Sequence, residues 1–295
     1  MQTAELQEDQ ASGLRRMVSP QPVRVIAVAS GKGGVGKTNV SVNLAVAMQS
    51  AGHQVLVMDG DLGLANADVM LGVQAGYNLS HVISGEATLE ETIVTSSSGV
   101  KLVPASSGTK SMTELSEAEH FGLVRAFSEL NLPVDTLIID TAAGISAGVV
   151  AFVRAARDVL VVVCDEPASI TDAYALIKVL SSDYRVKRFH VLANMAQSTQ
   201  HGRQLFGKLT RVTDRFLDVT ATLLGVIPRD EYLLKAVQKR KPVVEAFPRS
   251  RAAMAFSKLV QKIERWPIPE AADGHLEFFF ERLIQCSADH GGPYS

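Results

Sequence analysis

The sequence predicts a doubly wound α/β fold in which helices flank a mostly parallel sheet. Short apolar runs rich in β-branched residues alternate with longer stretches that have helical spacing. The apolar runs have no polar face, as expected of strands that are covered on both sides. A glycine-rich segment joins the first of these runs to the first helical stretch. Strand and helix in this rhythm are typical of a parallel sheet with crossover helices.

Seven strands are predicted, each bounded by turn residues: Val23–Ala29, Val55–Met58, Val100–Val103, Thr136–Ile139, Val159–Cys164, Phe189–Ala193 and Leu223–Ile227. Helical spacing marks the stretches between them, such as Asn39–Ala51 and Ile170–Ser181. The predicted domain therefore covers residues 23–266. Residues 1–22 are polar and end in Ser-Pro-Gln-Pro, so we expect a flexible arm there. The spacing of apolar residues predicts an amphipathic helix over residues 274–286, and residues 287–295 are expected to be disordered.

Composition excludes several classes of protein. The 295 residues are 46% hydrophobic and 20% charged, which is ordinary for a globular domain. A formal net charge of −2 provides no overall basic field for nucleic acid. The two cysteines form no CxxC pair, so a disulfide scaffold, a zinc ribbon and a cluster ligated within one subunit lack ligands. No secretory signal or membrane-spanning run is present, and we expect a cytoplasmic protein.

The glycine-rich segment fits the phosphate-loop pattern G-x-x-x-x-G-K-[ST] at every fixed position. Its glycines let successive N–H groups face phosphate oxygens, and the following helix N-terminus adds partial positive charge. Lys37 is expected to reach the β- and γ-phosphates, and the Thr38 hydroxyl to ligate Mg²⁺ directly. The predicted cofactors are therefore ATP and Mg²⁺. The predicted ATP-binding loop comprises Gly31, Lys32, Gly33, Gly34, Val35, Gly36, Lys37 and Thr38.

A second lysine, Lys32, stands directly after the first glycine of the loop, where a generic phosphate loop does not need one. The segment resembles the deviant Walker A motif of the MinD/ParA family, and the resemblance extends from Val23 to Trp266. In that family the early lysine crosses a dimer interface and touches the nucleotide of the partner subunit. The resemblance implies an ATP-bound homodimer in which Lys32, Lys37 and Asp61 are catalytic.

Two acidic segments resemble the switches of the family. In Met58–Asp68, the resemblance makes Asp61 the residue that activates water, and Asp59 lies near the metal. The segment Leu137–Gly144 resembles a Walker B motif. There Asp140 would hold Mg²⁺ through water, as Asp59 would, and the N–H of the switch glycine, Gly144, could meet the γ-phosphate. Ala142 stands where MinD has a proline, so the loop geometry is left open.

Two later segments resemble the adenine-recognition segments of the family. Asn194 follows a predicted strand, and its amide offers both a donor and an acceptor to a base edge. The second segment includes Pro228, Arg229 and Asp230. An asparagine at a strand end is also a common turn residue, which is the alternative interpretation.

Within the family, the chain resembles the regulators of flagellar number called FlhG or FleN. The resemblance rests on Val163–Ala175, on Asp9–Arg16 of the arm and on the terminal helix. Leu6, Gln10, Leu14 and Met17 recur in the arm at helical spacing. By resemblance, the arm enters the dimer of the flagellar GTPase FlhF, where Gln10 stimulates GTP hydrolysis, Leu14 anchors the arm, and Arg15 or Arg16 meets acidic surface or phosphate. The alternative is a disordered tail.

The predicted terminal helix has one apolar face, formed by Leu276, Phe279, Phe280, Leu283 and Ile284. It resembles the membrane-targeting helix of the family, which implies peripheral contact with the inner membrane and a position at the cell pole. The segment is short and not basic, so attraction to anionic lipid is weak. The other interpretation is that it docks on its own domain, and nucleotide could switch between the two states.

The resemblance implies an ATP-dependent switch that regulates flagellar number and placement through FlhF and the master transcription activator FleQ (FlrA). The alternative is a ParA-type partition or cargo-positioning ATPase, because basic residues cluster near the end of the domain: Lys235, Lys239, Arg240, Lys241, Arg249 and Arg251. A solvated helix face is a commoner explanation of such a cluster, so direct contact with nucleic acid is not expected. A metabolic ligase of the same superfamily would need a second substrate pocket, for which no motif is present.

Overall fold

The computed structural model describes residues 22–61, 66–104, 117–130, 132–267, 279–283 and 286. Within this part of the chain, one sheet contains the strands β1 (Arg24–Ser30), β2 (Val55–Gly60), β3 (Val94–Thr95), β4 (Lys101–Val103), β5 (Thr136–Ala143), β6 (Asp158–Val163), β7 (Arg188–Ala196) and β8 (Thr220–Pro228). Their order is β3-β4-β2-β5-β1-β6-β7-β8. Only β3 runs antiparallel to its described neighbour. The predicted α/β fold with a mostly parallel sheet is confirmed.

The described helices, in chain order, are α1 (Lys37–Ser50), α2 (Ala67–Leu71), α3 (Leu79–Ile83), α4 (Leu89–Thr92), α5 (Glu117–Ser128), α6 (Ala147–Ala155), α7 (Pro167–Ser182), α8 (Thr199–Phe216), α9 (Glu231–Gln238), α10 (Val243–Ala246) and α11 (Arg251–Ile263). They cover both faces of the sheet. Alternate residues of β1 enter two different hydrophobic clusters, with Ala27 in one and Val28 in the other. α5 to α8 pack in the first cluster, and α1, α9, α10 and α11 pack in the second. Burial on both faces explains why the strands lack a polar face.

The position of β1 places the phosphate loop at the centre of the sheet. β1 pairs in parallel with β5 on one side and with β6 on the other. On the far side of β5, β2 pairs in a register that sets Asp59 opposite Asp140. The carboxyl ends of these parallel strands therefore bring the predicted loop and both acidic segments to one edge.

All seven predicted strands are present, and the two predicted helices correspond to α1 and α7. The sequence did not predict β3, because two residues are too few to show a strand pattern. Among the described residues, no helix is both long and apolar enough to cross a membrane.

The chain is helical at residues 279–283 and at 286, which we call the terminal segment. Phe279, Phe280 and Leu283 are buried in the first hydrophobic cluster. The ring of Phe280 stacks on Phe127 with 3.4 Å between centroids. In this structure the segment is thus docked on its own domain, one of the two alternatives for the predicted amphipathic helix. Two of its predicted membrane residues, Leu276 and Ile284, lie outside the described residues, as does the arm from residue 1 to 21 with Gln10, Leu14, Arg15 and Arg16.

Candidate functional site

The phosphate loop connects the carboxyl end of β1 to the start of α1. Gly34 and Gly36 adopt positive φ angles of 80° and 86°, a backbone region that other residues rarely occupy. α1 begins at Lys37, whose side chain is buried. The positive end of the helix dipole therefore faces the loop, as an anion site requires. The structure forms the loop that the motif predicted.

Two glycines of the loop leave no room for a side chain. A Cβ on Gly31 would overlap the main-chain carbonyl of Asp172 in α7. A Cβ on Gly36 would lie 2.6 Å from the amide nitrogen of Asn194. The loop is thus packed against the main chain of α7 on one side and against the end of β7 on the other.

Asp140 lies at the end of β5, under the start of α1, and is only 1% exposed. Its Oδ1 accepts a 2.9 Å hydrogen bond from the Ser41 hydroxyl. The Thr38 hydroxyl also donates to its carboxylate. Burial raises the pKa of Asp140 above its usual range, against these two hydrogen bonds. The predicted direct and water-mediated metal ligands, Thr38 and Asp140, are therefore brought into contact.

Asp59 lies beside Asp140 on the neighbouring strand and is 2% exposed. Its carboxylate accepts hydrogen bonds from the N–H of Asp61 at 3.1 Å and of Ala67 at 3.3 Å. Burial, and next the negative charge of Asp140, raise the pKa of Asp59 to about 7. Asp59 thus holds together the two described ends of the first switch segment, including the predicted water-activating residue Asp61.

The predicted magnesium ligands fit the chemistry of that ion. They offer a hydroxyl and two carboxylates, and Mg²⁺ prefers oxygen ligands. The two carboxylates are buried side by side, so each disfavours the ionised form of the other. A divalent cation held between them and the phosphates would offset that repulsion. Thr38, Asp59 and Asp140 could therefore hold Mg²⁺.

The predicted crossing lysine, Lys32, bonds within its own subunit in this structure. Its Nζ lies 2.6 Å from Oε2 of Glu166, the residue before α7, and its side chain is 33% exposed. The hydrogen bond with Glu166 raises the pKa of the Lys32 ammonium. Sequence reasoning did not assign a role to Glu166. The available signal was its place at the carboxyl end of β6, the strand beside β1.

Gly144, the predicted switch glycine, has a φ of 91°. Its N–H donates a 2.9 Å hydrogen bond to the carbonyl of Ser30, the last residue before the loop. Contact between this N–H and a γ-phosphate would require that bond to break. The second switch is therefore linked directly to the phosphate loop.

Asn194 lies at the end of β7 and points into the loop. Its Nδ2 donates a 2.9 Å hydrogen bond to the Val35 carbonyl. Its Oδ1 is buried without a hydrogen-bond partner among the described residues. Buried acceptors are seldom left unpaired, so this oxygen is suited to a donor such as the adenine amine.

The second predicted adenine segment follows β8. Pro228 pairs with Ala196 of β7, and the N–H of Arg229 donates to the Ala196 carbonyl at 2.8 Å. Asp230 has a capping role that sequence reasoning did not foresee. Its two carboxylate oxygens accept hydrogen bonds from the N–H of Tyr232 in α9 and of Ala252 in α11.

The basic cluster near the end of the domain is exposed, as expected of a solvated surface. Lys235 and Lys241 pair with glutamates four residues away, Glu231 and Glu245 respectively. The two cysteines lie at opposite edges of the sheet. Cys164 follows the carboxyl end of β6, whereas Cys286 packs near the amino end. They cannot ligate one cluster together within a subunit.

The chain is similar in sequence to proteins of one known family. A family model described as "ParA: NUBPL iron-transfer P-loop NTPase" matches residues 21–264. The chain is 57% identical over 275 residues to the antiactivator FleN of Pseudomonas aeruginosa, covering 93% of this chain and 98% of FleN. It is 34% identical to the flagellum site-determining protein YlxH of Helicobacter pylori, covering 89% and 90% of the two chains.

Similar structures include the septum site-determining protein MinD from Pyrococcus horikoshii, solved in complex with Mg-ADP. The TM-score is 0.64 at 26% sequence identity, covering 82% of this chain and 96% of that one. The match agrees with the fold.

Proposed function

The chain belongs to the ParA/MinD family of P-loop NTPases and is an ATP hydrolase, and from this premise we propose that it is a dimerising switch that regulates flagellar number and placement. Two relatives support the proposal. One is called an antiactivator and the other a flagellum site-determining protein. The matches span 98% of FleN and 90% of YlxH, so the similarity extends beyond a shared core.

The site residues have separate tasks in hydrolysis. Lys37 and the N-terminus of α1 bind the phosphates and favour the negative charge that develops during transfer. The N–H of Asp61 is bonded to the carboxylate of Asp59, and the Asp61 side chain would orient a water molecule. Thr38, Asp59 and Asp140 would hold magnesium, which would supply positive charge to offset the charge of the phosphates. Asn194 would distinguish the base through its unpaired Oδ1.

The location of Lys32 carries the dimerisation proposal. Its side chain is partly exposed, and its one described ion-pair partner is the exposed Glu166. Exchange of that partner for a phosphate on a second subunit leaves no charge buried without a counter-ion. ATP would thus join two subunits, and hydrolysis would separate them.

The decisive experiment measures the molar mass of the chain in solution. Wild type with Mg-ADP should be monomeric, and Asp61→Ala with Mg-ATP should be dimeric because hydrolysis is blocked. Glu86→Ala is the matched control, since it removes an exposed carboxylate outside the site. A monomer with ATP for Asp61→Ala, with nucleotide bound, would contradict the switch.

The proposed protein partners are FlhF and FleQ, with the arm acting on FlhF. The arm lies outside the described residues, so the test uses a synthetic peptide of residues 1–20 added to FlhF and GTP. The peptide should accelerate hydrolysis, Gln10→Ala should remove the effect, and Gln7→Ala should retain it. If no peptide changes the rate, the arm has no activator role.

Membrane contact would require release of the terminal segment from the domain. Phe279, Phe280 and Leu283 are buried in the domain and would be buried again in the lipid. The exchange changes little of the apolar area exposed to water, so the hydrophobic effect favours it only weakly. Flotation with phosphatidylglycerol vesicles should recover Asp61→Ala with ATP, and not wild type with ADP. Equal recovery in both nucleotides would contradict nucleotide-dependent release.

A further inference from the structure

A cavity of about 490 Å³ opens at the edge of the sheet opposite the nucleotide site. It lies between the end of α6, the amino ends of β6 and β7, the residues that follow α7, and the terminal segment. A volume of this size is typical of small-molecule sites. None of the nucleotide-site motifs contributes a residue to it.

The described walls of this cavity are strongly basic. Six cationic residues line it, and no acidic residue is among the described lining residues: the six are Arg154, Arg157, Arg185, Lys187, Arg188 and Arg282. They are a substantial share of the 29 lysines and arginines of a chain whose net charge is −2. Lys187 is partly neutralised by an exposed ion pair with Asp218 at 2.6 Å. Such a concentration of one sign creates a positive potential that attracts anions.

One of these cations occupies a strained backbone position. Arg185 lies three residues after the end of α7 and has a φ of 60°, in the left-handed region. Its N–H bonds to the Ser181 carbonyl, and the next N–H, that of Val186, bonds to Leu180. Helices that end in this way usually have glycine at that position. Backbone strain of this kind is found at functional sites, and here it falls on a residue that lines the cavity.

We propose that this cavity binds a phosphate-bearing anion with at least two negative charges. Guanidinium groups recognise phosphate through paired, charge-assisted hydrogen bonds, and five of the six cations are arginines. Tyr184 also lines the cavity, and the guanidinium of Arg154 lies 5.0 Å from the centre of its ring. That contact fixes one cation in place before any ligand arrives.

The ligand would be coupled to the terminal segment. The side chain of Arg154 donates to the Cys286 carbonyl at 3.4 Å, and that of Arg282 donates to the Arg154 carbonyl at 3.2 Å. These reciprocal bonds join α6 to the segment at the cavity wall. An anion that contacts both arginines therefore keeps the segment docked.

The test uses the full chain saturated with Mg-ADP, so that the phosphate loop is occupied, with magnesium in excess. Calorimetry with pyrophosphate measures binding of a soluble anion, and flotation with vesicles that contain phosphatidic acid, whose headgroup carries up to two negative charges, measures binding of a lipid headgroup. Arg157→Gln with Arg185→Gln should weaken binding about tenfold or more, because two charge-assisted bonds are lost. Arg203→Gln with Arg211→Gln removes the same charge from exposed positions of α8 and should leave binding unchanged.

Arg185→Gly separates the site from folding. Glycine removes a cation and relieves the left-handed strain, so the unfolding temperature should not fall while binding weakens. Bound pyrophosphate should also slow alkylation of Cys286, which is buried but lines the cavity, and should leave alkylation of Cys164 unchanged. If the cavity variants lose binding to vesicles and their binding of pyrophosphate is unchanged, the ligand of the cavity is a lipid headgroup. Absence of binding in both arms, or equal loss in the α8 control, would overturn the proposal.

Discussion

Lys32 and Glu166 join the phosphate loop to the start of α7 through a 2.6 Å bond between Nζ and Oε2. The two residues are 134 positions apart in the chain, so the bond exists only because β1 and β6 are neighbours. In this structure, the lysine proposed to reach another subunit forms an ion pair within its own subunit. Dimerisation would therefore exchange one anionic partner of Lys32 for another.

We expect Lys32→Ala to retain much of its ATP binding and to lose ATP-dependent dimerisation, because its proposed target is the partner's nucleotide. Lys37→Ala should lose nucleotide binding altogether, since it removes the main cation at the phosphates. Fluorescent-nucleotide titration and light scattering measure the two properties separately. Equal dimerisation of wild type and Lys32→Ala, both with ATP bound, would contradict the crossed lysine.

Asn194→Ala should reduce the preference for ATP over GTP. Its Oδ1 can accept from the adenine amine but not from the guanine carbonyl. One hydrogen bond is worth about 1 kcal/mol, so the ratio of affinities should fall about fivefold. Loss of the bond to the Val35 carbonyl weakens both nucleotides alike, and the ratio removes that effect. An unchanged ratio would mean that the base is read elsewhere.

Relative to wild type, the free energy of unfolding of ligand-free Asp59→Asn should be higher at pH 8 than at pH 5, although the substitution removes a predicted metal ligand. The pKa of Asp59 is raised to about 7, so the folded state holds this proton more tightly than the unfolded state. Stability from this group is therefore complete below about pH 4 and is lost as the pH rises through about 7. The full penalty is about 4 kcal/mol at most, because one pKa unit corresponds to about 1.4 kcal/mol.

Urea unfolding at the two pH values isolates this charge. Asparagine also loses one acceptor for the N–H groups of Asp61 and Ala67, but that loss is the same at both pH values. The difference between the variant and wild type should therefore favour the variant more at pH 8. A pH-independent difference would show that the ionised carboxylate of Asp59 does not destabilise the folded protein.

Phe280→Ala should lower the free energy of unfolding by about 3–5 kcal/mol, as expected for deletion of a buried phenyl ring. Phe280 is 1% exposed and stacks on Phe127. Phe216→Ala is the control, since that ring is 63% exposed and its loss should have little effect. Similar small losses for both variants would show that the terminal segment is not docked in solution. A smaller loss for Phe280→Ala with ATP would support nucleotide-dependent release.

Much of this molecule could be predicted because the signals are local. The strand runs, the phosphate loop and the acidic segments are each contiguous, and a parallel sheet brings strand ends to one edge. The fold and the neighbourhood of Thr38, Asp59 and Asp140 follow from that rule.

What the sequence did not predict depends on contacts between distant residues. The bond from Lys32 to Glu166, the capping of two helices by Asp230 and the docking of Phe280 on Phe127 each join segments that no pattern relates. The basic cavity is of the same kind, because Arg154, Arg185 and Arg282 come from three remote parts of the chain. Charge and burial at such places emerge only when the chain is folded.

Gly31 has a mechanical consequence. Because even a methyl group would overlap the main chain of Asp172, the loop abuts α7 without any compliant side chain between them. α7 is a rod of 16 residues, about 24 Å long, that runs from Glu166 beside Lys32 to the residues before Arg185. If phosphate binding shifted the loop toward α7, the whole helix would have to move with it. Such a shift would move the end of α7 at the far edge of the sheet, next to the cavity that Arg185 and the terminal segment line.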